Sequence, residues 1–307
     1  MTGLPQGLDG NIAGSELFAP NLERRHLVGK IFSTLCLIGT SLGLILLAVL
    51  LSRTFVQATT HLNWGFISSY PSQMNPSAAG IRSPLLGSLC ILVYTILFSV
   101  PVGVGAAVYL EEYAPQNRFT KLLELNIANL AGVPSVVYGI LGLGLFVRLM
   151  GLGRVVLAGS LTMALVILPV IIVAAREAIR AVPKSLREAS YGLGATKWQT
   201  VWNHVLPNAI PGILTGVIIA VSRAIGDSAS LLIIGALTFI TFDPKFLEWG
   251  GLTSQFTVLP LQIFFWIGLP QEAFKELAAS GIIVLMVLLL SLNAIAIIIR
   301  NKYSHLN

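Results

Sequence analysis

Charge is what this sequence has least of. Asp, Glu, Lys and Arg make up 10% of its 307 residues, against 55% hydrophobic ones, and the mean hydropathy is +0.83. A water-soluble globular domain carries far more charged surface than that, so the chain reads as a membrane protein. Cysteine is scarcer still. Cys36 and Cys90 both fall inside apolar runs, where a thiol serves as a small packing residue, which excludes a disulfide framework and a cysteine metal site. The four histidines, His26, His61, His204 and His305, are dispersed, and there is no metal-ligand cluster, nucleophile elbow or HxxE arrangement. No GxxxxGK[ST] loop occurs either. The GLGATK at Gly192–Lys197 has the wrong spacing, so ATP hydrolysis by this chain is excluded, and an intrinsic enzyme with its own cofactor is not expected.

What is present is apolar length. Crossing about 30 Å of hydrocarbon takes roughly 20 helical residues, and runs of that order occur near Ile31–Leu51, Leu85–Leu110, Leu125–Leu149, Val155–Ala175, Ile210–Ile240 and Leu277–Ile299. The reading is an all-α polytopic membrane protein with six transmembrane helices. Phe256–Leu269 is shorter and contains Pro260, which suits an interfacial or re-entrant segment. Pro101, Pro134 and Pro169 within the runs, with neighbouring glycines, predict kinks and close helix approach.

Residues 1–26 read as a flexible tail and not as a cleaved signal peptide, because polar, Gly- and Pro-containing sequence precedes the first apolar run. Arg24, Arg25, Lys30, Arg118, Lys121, Arg176, Arg180, Lys184, Arg187, Lys197, Arg300 and Lys302 fall on the side of the termini, whereas Arg53, Arg82, Arg148, Arg154, Lys245 and Lys275 fall on the other. The excess predicts cytoplasmic termini by the positive-inside rule, and it accounts for the net charge of +6 without nucleic acid. Glu111, Glu112 and Tyr113 then form a solvated helix end, and Arg82 caps the same helix outside.

Between the fourth and fifth runs lies a polar island, EASYGLGATKWQTVWNHVLPNAIPG from Glu188 to Gly212. Lys184–Leu193 reads as a short helix entered after Pro183 and ended by Gly194, and Ala195–Leu206 as a second one ended by Pro207. A loop of that length, 176–209, exceeds what a connection needs. The pattern Glu188-Ala189-Ser190, Gly194, then Leu206-Pro207 resembles the EAA loop of ABC-transporter permeases, with Ser190 for a usual Ala and His204 for a usual Ile. Residues 181–232, and VLPLQIFFWI ahead of the last run, are similar to phosphate-specific permeases of the PstA type, whose layout covers nearly all of 82–300. The resemblance implies an ABC importer type I permease (MetI-like) fold over 27–303, with an external loop 242–275, in a bacterial cytoplasmic (inner) membrane. It also implies a sibling permease (PstC type), two ATP-binding subunits (PstB type) that use ATP and Mg, an external phosphate-binding protein (PstS type), and inorganic phosphate as cargo. Glu188, Ala189, Gly194, Leu206 and Pro207 are then the ATPase-coupling residues.

The fifth run holds Arg223 and Asp227, four residues apart and so on one face of a continuous helix, with Gly226 between. Charge at mid-membrane costs about 2.5–3.5 kcal/mol on insertion scales and marks a cavity or a partner. Two readings stand at this point: a self-satisfying pair that locks the helix, and a cation offered to a passing oxyanion with Asp227 orienting it. The resemblance favours the second, since the family's RAxGETAPL stands here as Arg223 to Leu231 with Asp227 for Glu. Arg176-Glu177, where the family often has acidic residues, is a possible gate or an interfacial anchor. The alternatives are a permease for another oxyanion and a non-conducting membrane scaffold or sensor that docks a signalling partner.

Overall fold

The computed structural model describes residues 22–237, 239–244 and 249–304. Residues 1–21, which hold most of the predicted tail, and Lys245 and His305 lie outside the described residues. The chain divides into two compact units at Arg53 and Thr54.

The described part of the first unit is one helix. α1 (Leu22–Ala58) begins ahead of the predicted run, with Glu23 in its first turn. The extension follows from good helix formers at 22–25 and a carboxylate that suits the positive end of the helix dipole. Its apolar side chains from Leu22 to Leu50, with Cys36 among them, are exposed, as expected of a helix meeting lipid or another subunit.

In the second unit α2 (Trp64–Ser68) and a short 3-10 turn lead into α3 (Arg82–Val108), which runs on through a π turn at Tyr109–Tyr113. α4 (Arg118–Leu130) and α5 (Ser135–Gly142) follow, α5 being extended by a π turn at Leu143–Leu149. Next come α6 (Val156–Arg180), α7 (Lys184–Gly192), and α8 (Lys197–Thr200), which passes through a π turn at Val201–Val205 into α9 (Leu206–Gly226). α10 (Ala229–Ile234), α11 (Trp249–Leu252), α12 (Leu259–Gly268) and α13 (Glu272–Ser304) complete the chain. Among the described residues there is no strand. Among the described residues five helices are long and apolar enough to span a bilayer, and the count reaches the expected six when the bent pair α4–α5 is taken as one broken span.

Three departures from the sequence reading have identifiable causes. The third span is not straight: α4 and α5 meet at 102°, because Pro134 has no N–H to continue the ladder and holds Val133 away from helical geometry. The fifth span starts at Lys197 and stops at Gly226, so it takes in the second island helix, which Pro207 does not end. The π turn supplies the reason. The Leu206 N–H reaches back to the Val201 carbonyl, and the widened turn places Pro207 at the restart of regular α geometry, where its missing N–H is tolerated. Pro260 likewise does not break a helix. It sits in the first turn of α12, the one position that leaves no intrahelical bond unmade.

α6 occupies the middle of the second unit and packs against α3, α5 and α9. Its approach to α9 depends on small side chains facing each other: a Cβ at Gly212 would lie 2.7 Å from Ala178 Cβ, and one at Gly216 would fall on Ala174. Four-residue spacing of small groups on both helices lets the backbones nearly touch, the usual source of attraction between helices in lipid. Apolar residues of α3, α6, α9 and α10, among them Ile91, Ile167, Ala220 and Leu231, form the central core. A second cluster around Ala175, Ile179, Val205 and Ile213 closes the end nearest the island. Gly216→Leu is expected to overpack this contact and cost about 1–3 kcal/mol, whereas Gly144→Ala, with open space at its Cβ, is neutral. Thermal unfolding of the detergent-solubilised chain separates the two.

Candidate functional site

The charges of the fifth span do not pair. α9 ends at Gly226, and Asp227 has extended geometry with φ −82° and ψ 103°, so the two residues do not share a helical face and no ion pair joins them among the described residues. Asp227 instead closes the break. Its Oδ1 accepts from the Ala229 N–H at 3.1 Å and its Oδ2 from the Ser230 hydroxyl at 3.1 Å, satisfying groups that the interruption would otherwise orphan in hydrocarbon. The carboxylate borders a narrow crevice with Ser88, Thr95, Met163 and Pro260. Gly226, the last helical residue, is exposed with open space around its α-carbon.

Arg223 is exposed, and its Nη1 donates to the Ala131 carbonyl at 3.1 Å. Ala131 caps the C-terminus of α4, so the guanidinium sits at the negative end of a helix dipole, in the elbow of the bent pair. Arginine has five N–H donors in a rigid fork; Nε and Nη2 have no partner among the described residues. The bend of one span and the end of another therefore come together around a cation with donors to spare.

The polar island is a separate piece of geometry at the far end of α9. α7 enters after Pro183, and Gly194 follows it at φ +83°, a left-handed conformation that favours glycine. α8 begins with a capping box, in which Thr196 Oγ1 accepts from the Gln199 N–H at 3.4 Å and Gln199 Oε1 from the Thr196 N–H at 2.8 Å. The two arms are fastened by Ser190, whose buried hydroxyl lies 2.8 Å from Thr200 Oγ1; alanine there would leave Thr200 without that bond. Glu188 and Ala189 are exposed, and so are Tyr191 and Leu193 at the elbow. Leu206 and Pro207 are half-buried where α8 passes into α9. His204 is exposed, and its backbone carbonyl accepts from Asn208 Nδ2 at 2.7 Å.

Glu111 and Glu112 are not a solvated helix end. Glu111 accepts from Arg176 Nε at 2.9 Å and from Arg180 Nη2 at 3.0 Å, and Arg176 Nη2 reaches Glu124 on α4 at 2.7 Å. Arg180 also meets Glu177 at 3.2 Å. Arg176 is thus clamped between two carboxylates, with 16% of its side chain exposed. Glu112, 7% exposed, is held at 2.7 Å by Arg187 of α7. Arg187 further donates to the carbonyls of Val182 at 2.7 Å and Ile179 at 2.9 Å, which lie at and just past the end of α6. One guanidinium thereby ties the island to both α3 and α6. The sequence reading missed Arg187 and Glu112. Their signal was present in a run of carboxylates at the end of one span and arginines spaced through the next connection, and only folding brings these opposite charges together.

Because the Arg187–Glu112 pair is buried, removing one partner strands the other charge. Arg187→Met and Glu112→Leu are each expected to cost about 3–5 kcal/mol, and the double variant less than the sum, by a thermal-unfolding double-mutant cycle.

Residues 99–305 match the family of binding-protein-dependent transport system inner membrane components. The chain is 35% identical over 219 residues to the probable ABC transporter permease protein YqgI of Bacillus subtilis, covering 71% of this chain and 72% of that one. It is 30% identical over 289 residues, 92% of each chain, to the phosphate transport system permease protein PstA 1 of Mycobacterium tuberculosis. Among solved structures, the methionine ABC transporter MetNI in an inward-facing conformation superposes with a TM-score of 0.56 at 18% identity, over 71% of this chain and 94% of that one, a likeness of fold. A multi-pass helical bundle with the MetI-like arrangement and a family match over two thirds of its length identify the chain as a member of the binding-protein-dependent transport system inner membrane components, the permease subunits of ABC importers.

Proposed function

We propose that this chain is the membrane subunit that moves inorganic phosphate inward by alternating access, driven by ATP hydrolysed with Mg in separate subunits docked on the 176–209 loop. The observation that carries the substrate is the kinship over nearly the whole chain to proteins named as phosphate transport system permeases. Arg223 supplies a fitting chemistry: an always-charged planar donor set that matches a tetrahedral oxyanion. Because Arg223 is exposed on the isolated chain, a pathway lined by it, Gly226 and Asp227 has to be closed by a second subunit, which suits a sibling permease of the PstC type. A binding protein of the PstS type delivers phosphate from outside, and the chain's termini face the cytoplasm with the island.

Coupling is mechanical in this reading. ATPase subunits of the PstB type grip the exposed Glu188–Gly194 elbow, and displacement of α7 is delivered to α3 and α6 through Arg187, while Leu206 and Pro207 carry it into α9. Arg176 and Glu177, within the charge cluster, change partners as the cytoplasmic side opens and closes.

Vesicles that contain the chain with its sibling permease, ATPase and binding protein test the proposal by ATP-dependent uptake of labelled phosphate, challenged with arsenate, sulfate and molybdate. Saturable uptake blocked by arsenate alone supports phosphate; an assembled, ATP-hydrolysing complex that moves none overturns it. Arg223→Gln is expected to lower uptake roughly tenfold to a hundredfold, the worth of a charge-assisted hydrogen bond of about 1.5–3 kcal/mol, with assembly intact; loss of assembly assigns Arg223 to the helix elbow alone. Glu188→Lys, at an exposed position, is expected to weaken ATPase docking and leave the unfolding temperature of the chain unchanged. Unaltered docking and uptake would remove Glu188 from the coupling surface.

A further inference from the structure

An open groove of about 630 Å³ runs along the outside of the second unit, between the last turns of α3 and the start of the helix that becomes α9. Val100, Pro101, Val104 and Gly105 line its inner stretch, and Tyr109, Tyr113, Trp198 and Trp202 its outer stretch. The lining is almost wholly apolar. Yet it is not covered by the chain: Trp198 is 62% and Trp202 59% exposed, and the two indoles stack at 5.6 Å. Both walls belong to helices long and apolar enough to span a bilayer, and the lining follows those helices along their length. From Pro101 to Tyr113 it measures about 18 Å at 1.5 Å per residue, close to one leaflet of a core about 30 Å thick.

Its mouth carries a cation. Lys197 Nζ lies 5.1 Å from the centroid of the Tyr113 ring, and no carboxylate pairs with it among the described residues. The nearby acids are already taken: Glu111 by Arg176 and Arg180, Glu112 by Arg187. A cation over a ring face keeps ammonium donors free for a third group. Tyr and Trp at the ends of spanning helices seat at the headgroup level, and basic pockets between such helices take anionic head groups. An apolar slot of leaflet depth, an aromatic collar and a single unpaired ammonium at the rim match one ligand class.

We propose that this groove binds one anionic phospholipid, with an acyl chain along Val104 and Gly105 and the phosphate on Lys197. The inference needs only that the helices span a bilayer and is independent of which solute the transporter carries.

The full chain, with the subunits that co-purify with it, is reconstituted in phosphatidylcholine vesicles that contain a minor share of acyl-brominated phosphatidylglycerol, or the same share of brominated phosphatidylcholine. Quenching is read on the part of the tryptophan emission that the Trp198→Phe/Trp202→Phe variant loses. The expected result is quenching about fivefold more effective per lipid for phosphatidylglycerol, the value of one surface lysine. Lys197→Gln should bring that ratio to unity. Gly105→Phe, at a position with open space around its Cβ, should fill the slot and reduce quenching by both lipids while the complex still assembles. Equal quenching by the two lipids would make the groove an unselective annular surface. A preference unchanged in Lys197→Gln would overturn the headgroup assignment, and absence of quenching by either would mean that a protein subunit covers it.

Discussion

Hydrocarbon offers a backbone no hydrogen-bond partner, so wherever this chain interrupts a spanning helix the protein itself must supply one. Arg223 and Asp227 show how that demand is met. At the elbow between α4 and α5 the freed Ala131 carbonyl is met by Arg223 from another span. At the end of α9 the freed Ala229 N–H is met by Asp227. The first solution uses a guanidinium and the second a carboxylate that borders a crevice. Interrupting these helices and furnishing the breaks with charged side chains are thus one structural act.

Holding two interrupted elements together requires that their neighbours come close, and α6 makes this possible. Gly212 and Gly216 meet Ala178 and Ala174 with no room for a larger group. Dispersion over such a tight contact is individually weak and collectively large, and it needs no water to drive it. The island end is fastened differently. Arg176, Arg180 and Arg187 draw α3, α4, α6 and α7 together through carboxylates that are mostly shielded from solvent, where ion pairs are screened less than at a surface. Apolar contact therefore fixes the middle of the bundle, and charge fixes the end that carries the island.

Much of this was legible in the sequence. Apolar length located most of the long helices, because the bilayer imposes one number on every crossing helix, but it set the fifth at Ile210–Ile240 where the helix runs from Lys197 to Gly226. Pro183 and Gly194 marked the ends of α7, since backbone chemistry at those residues is local. What stayed hidden was non-local. The kink at Pro134 was expected from its backbone chemistry, but its size, 102°, depends on how the two halves pack. That Pro207 fails to stop a helix depends on a π turn five residues wide, for which no composition signal exists. The i, i+4 spacing of Arg223 and Asp227 suggested a pair, but the spacing has meaning only while the helix continues, and Gly226 ends it. Glu111 and Glu112 looked solvated because their partners are 65 and 75 residues away in the chain.

The unbroken course from Lys197 to Gly226 has a mechanical meaning. Thirty residues make a helical stretch of about 45 Å, with the stacked tryptophans near one end and Arg223 near the other, and with the π turn at Val201–Val205, Pro207 and Pro211 between them. Each proline lacks the N–H that would close the turn before it, and the π turn widens the helix, so any bend in this stretch is concentrated between Val201 and Pro211 and divides the aromatic end from the end that carries Arg223.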